Sequence, residues 1–224
     1  MDDAPRDPRW LYLHGFASGP DSTKGVAMSD HYARRGVALL RLDLRLPSFE
    51  HLRLSAMMAA LGEAIGGPRD RAVVFGSSLG ALTAARVAEA DPRIAALVLL
   101  APAFRLAERW RANLGEAGWA RWRERGELPV EDYVRGRTSS VDFGFIEEVA
   151  RLDGEGGGWP DVRVPTLIVH GRADEVVDID VARRWTHGRR HVRLVEVDDG
   201  HELRASLPTI QREADRFLEP FLNF

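Results

Sequence analysis

Residues 71–81 read Arg-Ala-Val-Val-Phe-Gly-Ser-Ser-Leu-Gly-Ala, a sequence typical of a strand that turns sharply into a helix. The apolar, β-branched beginning predicts a buried strand, and the alanine-rich continuation to Ala88 predicts a helix. Between them lies a G-x-S-x-G pattern in which Gly76 and Gly80 flank Ser78. The two glycines indicate a turn with no room for side chains beside the serine. Such a unit is a nucleophile elbow, which holds its serine in a strained conformation with the hydroxyl exposed.

Apolar runs and helical patterns alternate on both sides of this unit. Six runs predict strands, at 10–14, 37–43, 71–76, 93–101, 165–170 and 191–197, and five patterns predict helices, at 22–35, 51–65, 79–90, 178–187 and 203–222. Strands that alternate with helices favour a parallel sheet with right-handed crossover connections. We therefore expect an α/β fold with a mostly parallel six-stranded sheet and helices on both faces. Ligands bind such sheets at the carboxyl ends of the strands.

A long segment, residues 102–160, interrupts this alternation. It contains four of the six tryptophans, at positions 110, 119, 122 and 159, and shows no strand-like pattern. We expect a helical cap inserted between the two parts of a single core, 1–101 and 161–224, with a flexible return linker at 154–158. The aromatic side chains of the cap either pack on the body alone or also line an acyl pocket beneath a lid.

The composition limits the class of protein. The chain has 224 residues, 45% of them hydrophobic, which suits one domain. Its net charge of −3 provides no overall field that would recruit nucleic acid or an anionic membrane. The absence of cysteine excludes disulfides, thiolate catalysis and cysteine-ligated metals. Neither a signal peptide nor a membrane-spanning run is visible, so we expect a soluble cytoplasmic protein.

A serine nucleophile needs a base, and His201 is the best-placed histidine. It lies in the segment Asp-Asp-Gly-His-Glu, residues 198–202, directly after the last predicted strand and before the last helix. This position puts it at the same edge of the sheet as Ser78. His170 also ends a strand, and we expect a structural role for it. The histidines at 31, 51, 187 and 191 fall on predicted helices or at the amino end of a strand, where solvated side chains are expected.

Asp174 is the predicted acid that orients this base. It follows the predicted strand 165–170 by four residues. An ionised carboxylate there would accept the Nδ1 proton of His201 and stabilise the imidazolium. Three neighbouring acids are alternatives: Glu175, Asp178 and Asp180. The two aspartates among them are typical of a helix N-terminus. The order nucleophile, acid, base along the chain is that of α/β-hydrolases, and it differs from that of trypsin-like and subtilisin-like proteases.

Two backbone N–H groups must stabilise the oxyanion that forms when the serine attacks. One belongs to Leu79, directly after Ser78 at the amino end of its helix. The other comes from the loop after the first strand, residues 14–20, and Phe16 is the predicted donor. His14, at the end of that strand, could itself act as a base, but its position favours a role in supporting the loop.

Residues 12–24 read Tyr-Leu-His-Gly-Phe-Ala-Ser-Gly-Pro-Asp-Ser-Thr-Lys. This segment resembles the HGF-x-S-x-x-x-S-T-K opening of small bacterial esterases of the YqiA-like group within the α/β-hydrolase superfamily. Further similar landmarks are the segment Asp-Leu-Arg-Leu-Pro-Ser-Phe-Glu at 43–50, the G-x-S-x-G turn, the HGxxDxxV run at 170–177 and the Gly200-His201 pair. The resemblance spans nearly the whole chain apart from the cap. It implies an α/β-hydrolase fold with a minimal six-stranded sheet, and hydrolysis of carboxylic esters or acyl thioesters by Ser78, His201 and Asp174.

Five side chains are candidates for the substrate pocket: His14, Lys24, Phe104, Trp110 and Trp119. Lys24 falls in the first turn of a predicted helix, where a cation opposes the helix dipole. We expect a solvated ammonium there. The alternative is a cation at the mouth of the cleft that attracts an acidic substrate such as a coenzyme A thioester.

These patterns predict a serine esterase or thioesterase that uses no metal and no organic cofactor. Its expected partner is a small ester or thioester, without nucleic acid or membrane, and the sequence sets no oligomeric state. Two alternatives stay open. The same residues could hydrolyse peptide or C–C bonds, or the fold could serve as a non-catalytic binding protein. The enzyme is favoured because a binding protein has no need of all three triad residues in this order.

Overall fold

The structure is a computed structural model that describes residues 7–154 and 158–222. In chain order its elements are β1 (Arg9–Leu13), α1 (Thr23–Ala33), β2 (Leu39–Leu42), α2 (Leu54–Ile65), β3 (Ala72–Ser77), α3 (Leu79–Ala88), β4 (Ile94–Leu100), α4 (Leu106–Arg125), β5 (Glu127–Asp132), β6 (Arg137–Asp142), α5 (Phe143–Asp153), β7 (Thr166–Gly171), α6 (Ile179–Thr186), β8 (Val192–Val197), α7 (Leu207–Leu218) and a final 3₁₀ turn (Glu219–Phe221). Each strand and helix predicted outside 102–160 is present, with ends that differ by a few residues. The predicted return linker at 154–158 lies partly outside the described residues.

Six parallel strands form one sheet in the order β2-β1-β3-β4-β7-β8. The central strands β3 and β4 are buried along their whole length. Such nearly continuous apolar strands occur where helices cover both faces of a sheet. The predicted parallel α/β fold is therefore confirmed.

Two hydrophobic cores lie on opposite faces of this sheet, because successive side chains of a strand point to opposite sides. On one face, Leu11, Val74 and Leu99 pack with α2, α3, α6 and the segment 102–160. On the other face, Tyr12 and Phe75 pack with α1 and α7. The helices thus occupy both faces, and the loops at the carboxyl ends of the strands are left to form a site.

The cap, residues 102–160, contains an antiparallel hairpin of β5 and β6 between the helices α4 and α5. The sequence pattern predicts a helical cap without strands, and this part of the prediction needs correction. The two strands read Glu-Leu-Pro-Val-Glu-Asp and Arg-Thr-Ser-Ser-Val-Asp. Half of the residues of β5 and all but one of β6 are polar, so the hairpin has no long apolar run that would identify it in the sequence.

A buried ion pair attaches this hairpin to the body. Asp132, at the end of β5, is fully buried and accepts hydrogen bonds of 2.8 and 2.7 Å from the guanidinium of Arg45. Arg45 lies in the loop after β2, so the pair joins the cap to the sheet. These hydrogen bonds lower the pKa of Asp132 to about 2, against the opposing effect of burial.

Asp132→Asn should lower the free energy of unfolding by about 3–5 kcal/mol, because the change leaves Arg45 buried without its counter-charge. A carboxyl with a folded pKa of about 2 stabilises the fold above its unfolded pKa near 4, and this contribution fades as the pH falls toward 2. The difference between wild type and variant should therefore be smaller at pH 3 than at pH 7. Urea unfolding at both pH values checks this.

Asp161→Asn is the matched control, because Asp161 pairs with Arg163 on the surface, where the side chains are 67% and 86% exposed. Exposed pairs of this kind contribute about 0–1 kcal/mol. Equal losses of stability in the two variants would contradict an anchoring role for the Arg45–Asp132 pair.

Candidate active site

Ser78 occupies the sharp turn between β3 and α3. Its φ is 52° and its ψ is −110°, a conformation that non-glycine residues rarely adopt. Besides the first bonds of α3, two backbone hydrogen bonds hold it: the Ser78 N–H donates to the Leu100 carbonyl at 2.9 Å, and the Ser78 carbonyl accepts from the Ala103 N–H at 3.1 Å. Strained residues persist where the surroundings over-determine them in this way. The turn thus has the geometry of the predicted elbow.

The two elbow glycines are required by close approaches of the backbone. A Cβ on Gly76 would lie 2.6 Å from the Cα of Ala81, and one on Gly80 would lie 2.3 Å from the carbonyl oxygen of Leu13. Gly76 therefore allows α3 to fold back over the end of β3. Gly80 allows the same helix to pack directly on the end of β1.

His201 and Asp174 meet at the carboxyl edge of the sheet. The Nδ1 atom of His201 lies 2.8 Å from Oδ2 and 3.1 Å from Oδ1 of Asp174. The Asp174 side chain is fully buried. Its Oδ1 atom also accepts the N–H groups of Val176 at 2.9 Å and Val177 at 2.8 Å. The carboxylate is thereby fixed in position against the imidazole.

His170 is a second histidine on the same carboxylate. It is fully buried, and its Nε2 atom lies 3.1 Å from Asp174 Oδ2 and 2.8 Å from the Val177 carbonyl oxygen. Because both of those atoms are acceptors, Nε2 must carry the proton. Burial alone would raise the pKa of Asp174, but the hydrogen bonds from His170, His201 and the backbone outweigh it and hold the pKa well below its usual range. His170 thus supports the carboxylate of Asp174, in agreement with the structural role predicted for it. Its spacing of four residues from Asp174 is a sequence signal that could have indicated this contact.

The rival acids have other partners. Asp178 caps α6 by accepting the N–H of Asp180 at 2.8 Å, and the Asp180 carboxylate accepts a hydrogen bond of 2.9 Å from Arg183. Among the described residues, neither carboxylate bonds to His201, and Glu175 does not either. The geometry therefore assigns the contact with His201 to Asp174.

Ser78 and His201 border one cavity of about 830 Å³ at this edge of the sheet. Within the described residues, the Ser78 hydroxyl and the Nε2 atom of His201 make no hydrogen bond to each other or to another group. In free enzymes this bond is often long and tightens only when substrate binds. Ser78 and His201 thus border the same cavity, and neither the Ser78 hydroxyl nor His201 Nε2 is hydrogen-bonded to another described residue.

Leu79 follows Ser78 directly, and Phe16 follows Gly15, which packs against the serine. A Cβ on Gly15 would be 3.4 Å from the Cβ of Ser78, which shows how closely the loop after β1 approaches the elbow. Leu79 is the first residue of α3, so its N–H has no intrahelical partner. The N–H of Phe16 makes no hydrogen bond in the part of the chain that the structure describes. Both residues border the cavity.

His14 does not line this cavity, and its place among the predicted pocket residues needs correction. Its ring is buried between the loops after β1 and β2, where Nε2 accepts the N–H of Leu44 and Nδ1 lies against the Gly15 carbonyl oxygen, both at 2.9 Å. Burial lowers the pKa of His14. A neutral ring that joins two loops agrees with the supporting role.

Lys24 is buried, so the expectation of a solvated ammonium is wrong. Its Nζ atom donates to the carbonyl oxygens of Glu202 at 3.0 Å and His201 at 3.5 Å. Burial lowers the pKa of Lys24, and the nearby Glu202 carboxylate acts in the opposite direction. Lys24 borders the cavity, as predicted for a pocket residue. Its charge, however, is used to hold the loop that carries His201.

The predicted aromatic pocket residues divide into two groups. Trp110 borders the cavity and packs edge-on against Phe16, with ring centroids 5.1 Å apart. Phe104 and Trp119 do not border it, which corrects their prediction. Phe104 is fully buried against Trp185, and Trp119 packs with Trp122 and Phe143 inside the cap. Of the cap tryptophans, Trp119 therefore packs inside the cap, whereas Trp110 forms part of the cavity wall.

Several residues that border the cavity are not predicted from the sequence, because they come from the cap and the loop after β7. They are Leu106 and Arg109 of α4, Glu131, Tyr133 and Val134 of the hairpin, and Val176. The hairpin tip reaches the body through a hydrogen bond of 3.1 Å from the Tyr133 N–H to the Ala17 carbonyl. No motif marks these positions, since only the folding of the hairpin over the β1 loop brings them to the site.

Solved structures of other proteins share this architecture. α/β-Hydrolase domain-containing protein 10 from mouse has a TM-score of 0.77 at 18% identity, covering 97% of this chain and 92% of that one. Est1E from Butyrivibrio proteoclasticus, solved with ferulic acid bound, has a TM-score of 0.76 at 21% identity, covering 97% and 90%. The esterase domain of a Rhodothermus marinus protein has a TM-score of 0.67 at 20% identity, covering 99% and 90%. These likenesses confirm the predicted α/β-hydrolase fold.

A family model described as an uncharacterised protein family, UPF0227, matches residues 9–217. No protein with a curated description matches the sequence. Within residues 7–154 and 158–222, no helix is both long and apolar enough to cross a membrane. In the same ranges, no group of three His, Cys, Asp or Glu side chains is arranged to hold a metal ion.

Gly80→Ala should destabilise the protein by about 1–3 kcal/mol, because the added Cβ overpacks against the backbone of β1. It should also lower kcat, since the start of α3 must shift and carries Ser78 and Leu79 with it. Gly62→Ala on α2 is the control, because its Cβ would have no neighbour closer than 4.0 Å. That change should stabilise the fold by about 0.4–1 kcal/mol. Thermal unfolding and steady-state kinetics of both variants check this, and a harmless Gly80→Ala would contradict the close approach.

Proposed function

The chain belongs to the uncharacterised protein family UPF0227, and we propose that it is a serine hydrolase that cleaves carboxylic esters or acyl thioesters. The observation that carries this proposal is the pairing of His201 Nδ1 with the buried Asp174 carboxylate at 2.8 Å, beside a cavity that the strained Ser78 also borders. Nucleophile, base and orienting acid are the three parts that acyl transfer through a covalent intermediate needs.

In the first half of the proposed reaction, the Ser78 oxygen attacks the acyl carbon while His201 Nε2 takes the hydroxyl proton. Asp174 holds the imidazole in the correct tautomer and stabilises the imidazolium. The oxyanion is stabilised by the N–H groups of Phe16 and Leu79. When the tetrahedral intermediate collapses, the bond to the leaving group breaks, and His201 returns its proton to the departing oxygen or sulfur. An acyl-enzyme on Ser78 remains.

In the second half, a water molecule attacks the same acyl carbon and gives its proton to His201. Collapse of the second intermediate breaks the bond to the Ser78 oxygen, which recovers its proton from His201, and the free acid leaves. Because Asp174 has a pKa well below its usual range, its carboxylate stays ionised throughout the neutral range. The cycle begins and ends with the same protonation states.

The walls of the cavity support an ester or thioester with an apolar acyl part. Leu106, Trp110 and Val176 provide apolar surface next to Ser78. Among the structural neighbours, one is solved with ferulic acid bound and another is described as an esterase domain, which supports ester chemistry. Hydrolysis of peptide or C–C bonds would use the same triad. A non-catalytic binding protein would have no use for a strained serine that faces an oriented histidine.

Ser78→Ala should lower kcat by roughly 10⁴–10⁶, because the triad residues act as a unit. A fluorophosphonate probe should label the wild type at residue 78 and leave the variant unlabelled, with mass spectrometry of the peptide as the measurement. Ser77→Ala is the control, and it should keep most of the activity and all of the labelling. Labelling that survives in Ser78→Ala would show that the nucleophile lies elsewhere. A wild type that is never labelled would favour the binding protein.

Asp174→Asn should lower kcat by roughly 10⁴, because an amide stabilises the wrong tautomer of His201. Asp178→Asn is the matched control, since Asp178 caps α6 and does not touch the histidine. It should change the stability by less than about 1 kcal/mol, because asparagine caps a helix about as well as aspartate, and it should leave kcat close to that of the wild type. Kinetics with a p-nitrophenyl ester checks both variants. Near-normal turnover in Asp174→Asn would assign the acid to another residue.

A further inference from the structure

Several charged side chains around the cavity have a charged or hydrogen-bonding partner. The Lys24 ammonium lies 3.8 Å from the Glu202 carboxylate, besides its bonds to backbone carbonyls. Asp21, which also borders the cavity, pairs with Arg41 at 3.2 Å. Glu131, on the hairpin, accepts a hydrogen bond of 3.4 Å from the Thr138 hydroxyl. Two guanidinium groups that border the cavity, those of Arg109 and Arg204, have no carboxylate within 4 Å among the described residues.

Arg109 is the more informative of the two, because it is half-buried whereas Arg204 is exposed. Its Nη2 atom donates to the Val176 carbonyl at 3.0 Å, and its Nη1 atom makes a longer contact of 3.4 Å with the Phe104 carbonyl. A guanidinium has five N–H donors, so most of them are left for other partners. Burial lowers the pKa of Arg109 and Asp174 opposes this, yet a guanidinium keeps its charge.

Most other arginines that lie partly inside this fold have a carboxylate partner, and Arg189, which has none among the described residues, lies over the ring of Trp185. Arg86 pairs with Asp153 at 2.8 Å, and Arg93 pairs with Asp91 at 2.6 Å. Arg109 has only the electrostatic influence of Asp174, whose oxygens are already occupied by two histidines and two backbone N–H groups. A desolvated cation without a counter-charge is costly, and an anion that enters the cavity would offset that cost.

We propose that Arg109 is a specificity-determining residue that binds a carboxylate carried by the substrate, so that the preferred esters or thioesters are anionic. This inference rests on the proposed hydrolase function. A guanidinium matches a carboxylate with two parallel hydrogen bonds, and its single charge balances that of the carboxylate. The apolar wall formed by Leu106, Trp110 and Val176 lies next to Arg109 and would cover the carbon chain between the carboxylate and the scissile bond.

Two pairs of chromogenic esters test the proposal and determine which side of the scissile bond bears the anion. For the acyl side, mono-4-nitrophenyl adipate is compared with 4-nitrophenyl hexanoate, after subtraction of spontaneous hydrolysis. For the alcohol side, 3-carboxy-4-nitrophenyl butyrate is compared with 4-nitrophenyl butyrate. The wild type should have the higher kcat/KM for the anionic ester in at least one pair. Arg109→Gln should lower that value about tenfold to a hundredfold, as expected for a charge-assisted hydrogen-bonded pair, and leave the neutral ester nearly unchanged.

Arg121→Gln is the matched control, because Arg121 is exposed on the same helix and does not border the cavity. It should behave as the wild type with all four esters. Equal losses on the anionic and neutral esters in Arg109→Gln would overturn the proposal, since Arg109 would then only hold the carbonyls of Phe104 and Val176. A wild type that prefers the neutral ester in both pairs would overturn it as well.

A binding measurement separates this proposal from the proposed catalysis. In the Ser78→Ala background, calorimetry compares monomethyl adipate, which carries one carboxylate, with neutral dimethyl adipate, each with and without Arg109→Gln. Binding of the monoester that weakens about tenfold or more in Arg109→Gln supports the carboxylate site even if none of the four esters is hydrolysed. Monoester binding that is independent of Arg109 overturns it, and so does absent binding when neither anionic chromogenic ester depends on Arg109.

Discussion

The close approach of the backbone at the turn between β3 and α3 is the constraint on which the rest of the site depends. Gly76 and Gly80 remove the Cβ atoms that would separate α3 from β3 and from β1. With the helix held that close, Ser78 is forced into a left-handed conformation at the carboxyl edge of the sheet. The same packing brings the loop after β1 beside the serine, and with it Phe16, whose N–H group is the proposed oxyanion donor.

Asp174 is the second point at which several elements converge. Its carboxylate accepts hydrogen bonds from the rings of His201 and His170 and from two N–H groups of its own loop. A buried carboxylate is stable only when its lone pairs are satisfied, and here four donors satisfy them. Lys24 of α1 acts on the loop after β8, which carries the histidine, through the carbonyls of residues 201 and 202. The position of the histidine is thus determined by packing on three elements, α1, β7 and the loop after β8.

The cap contributes apolar and charged side chains to the wall of the cavity. Its hairpin is attached to the body by Asp132 and Arg45, and its helix α4 contributes Trp110 and Arg109 to the wall. The body supplies the groups for the proposed acyl transfer, whereas the cap supplies apolar surface and the positive charge of Arg109. In this proposal, chemistry and selectivity are carried by different parts of the chain, as expected when function is built from a site grafted on a common fold.

The sequence alone determined the parallel sheet, the elbow at Ser78 and the candidate partners Asp174 and His201, because each depends on local patterns: an apolar period, two glycines, and polar residues directly after strands. Only the tertiary structure decided the surroundings of those residues. The hairpin has no long apolar run, and a buried ion pair with Arg45, which only the tertiary structure forms, attaches it to the body. Lys24 is buried rather than solvated because α1 packs under the histidine loop, and His14 lies between two loops rather than in the cavity. Phe104 and Trp119 face other aromatic rings, while Arg109 faces the cavity. Such long-range contacts join residues that are far apart in the chain, and no local pattern records them.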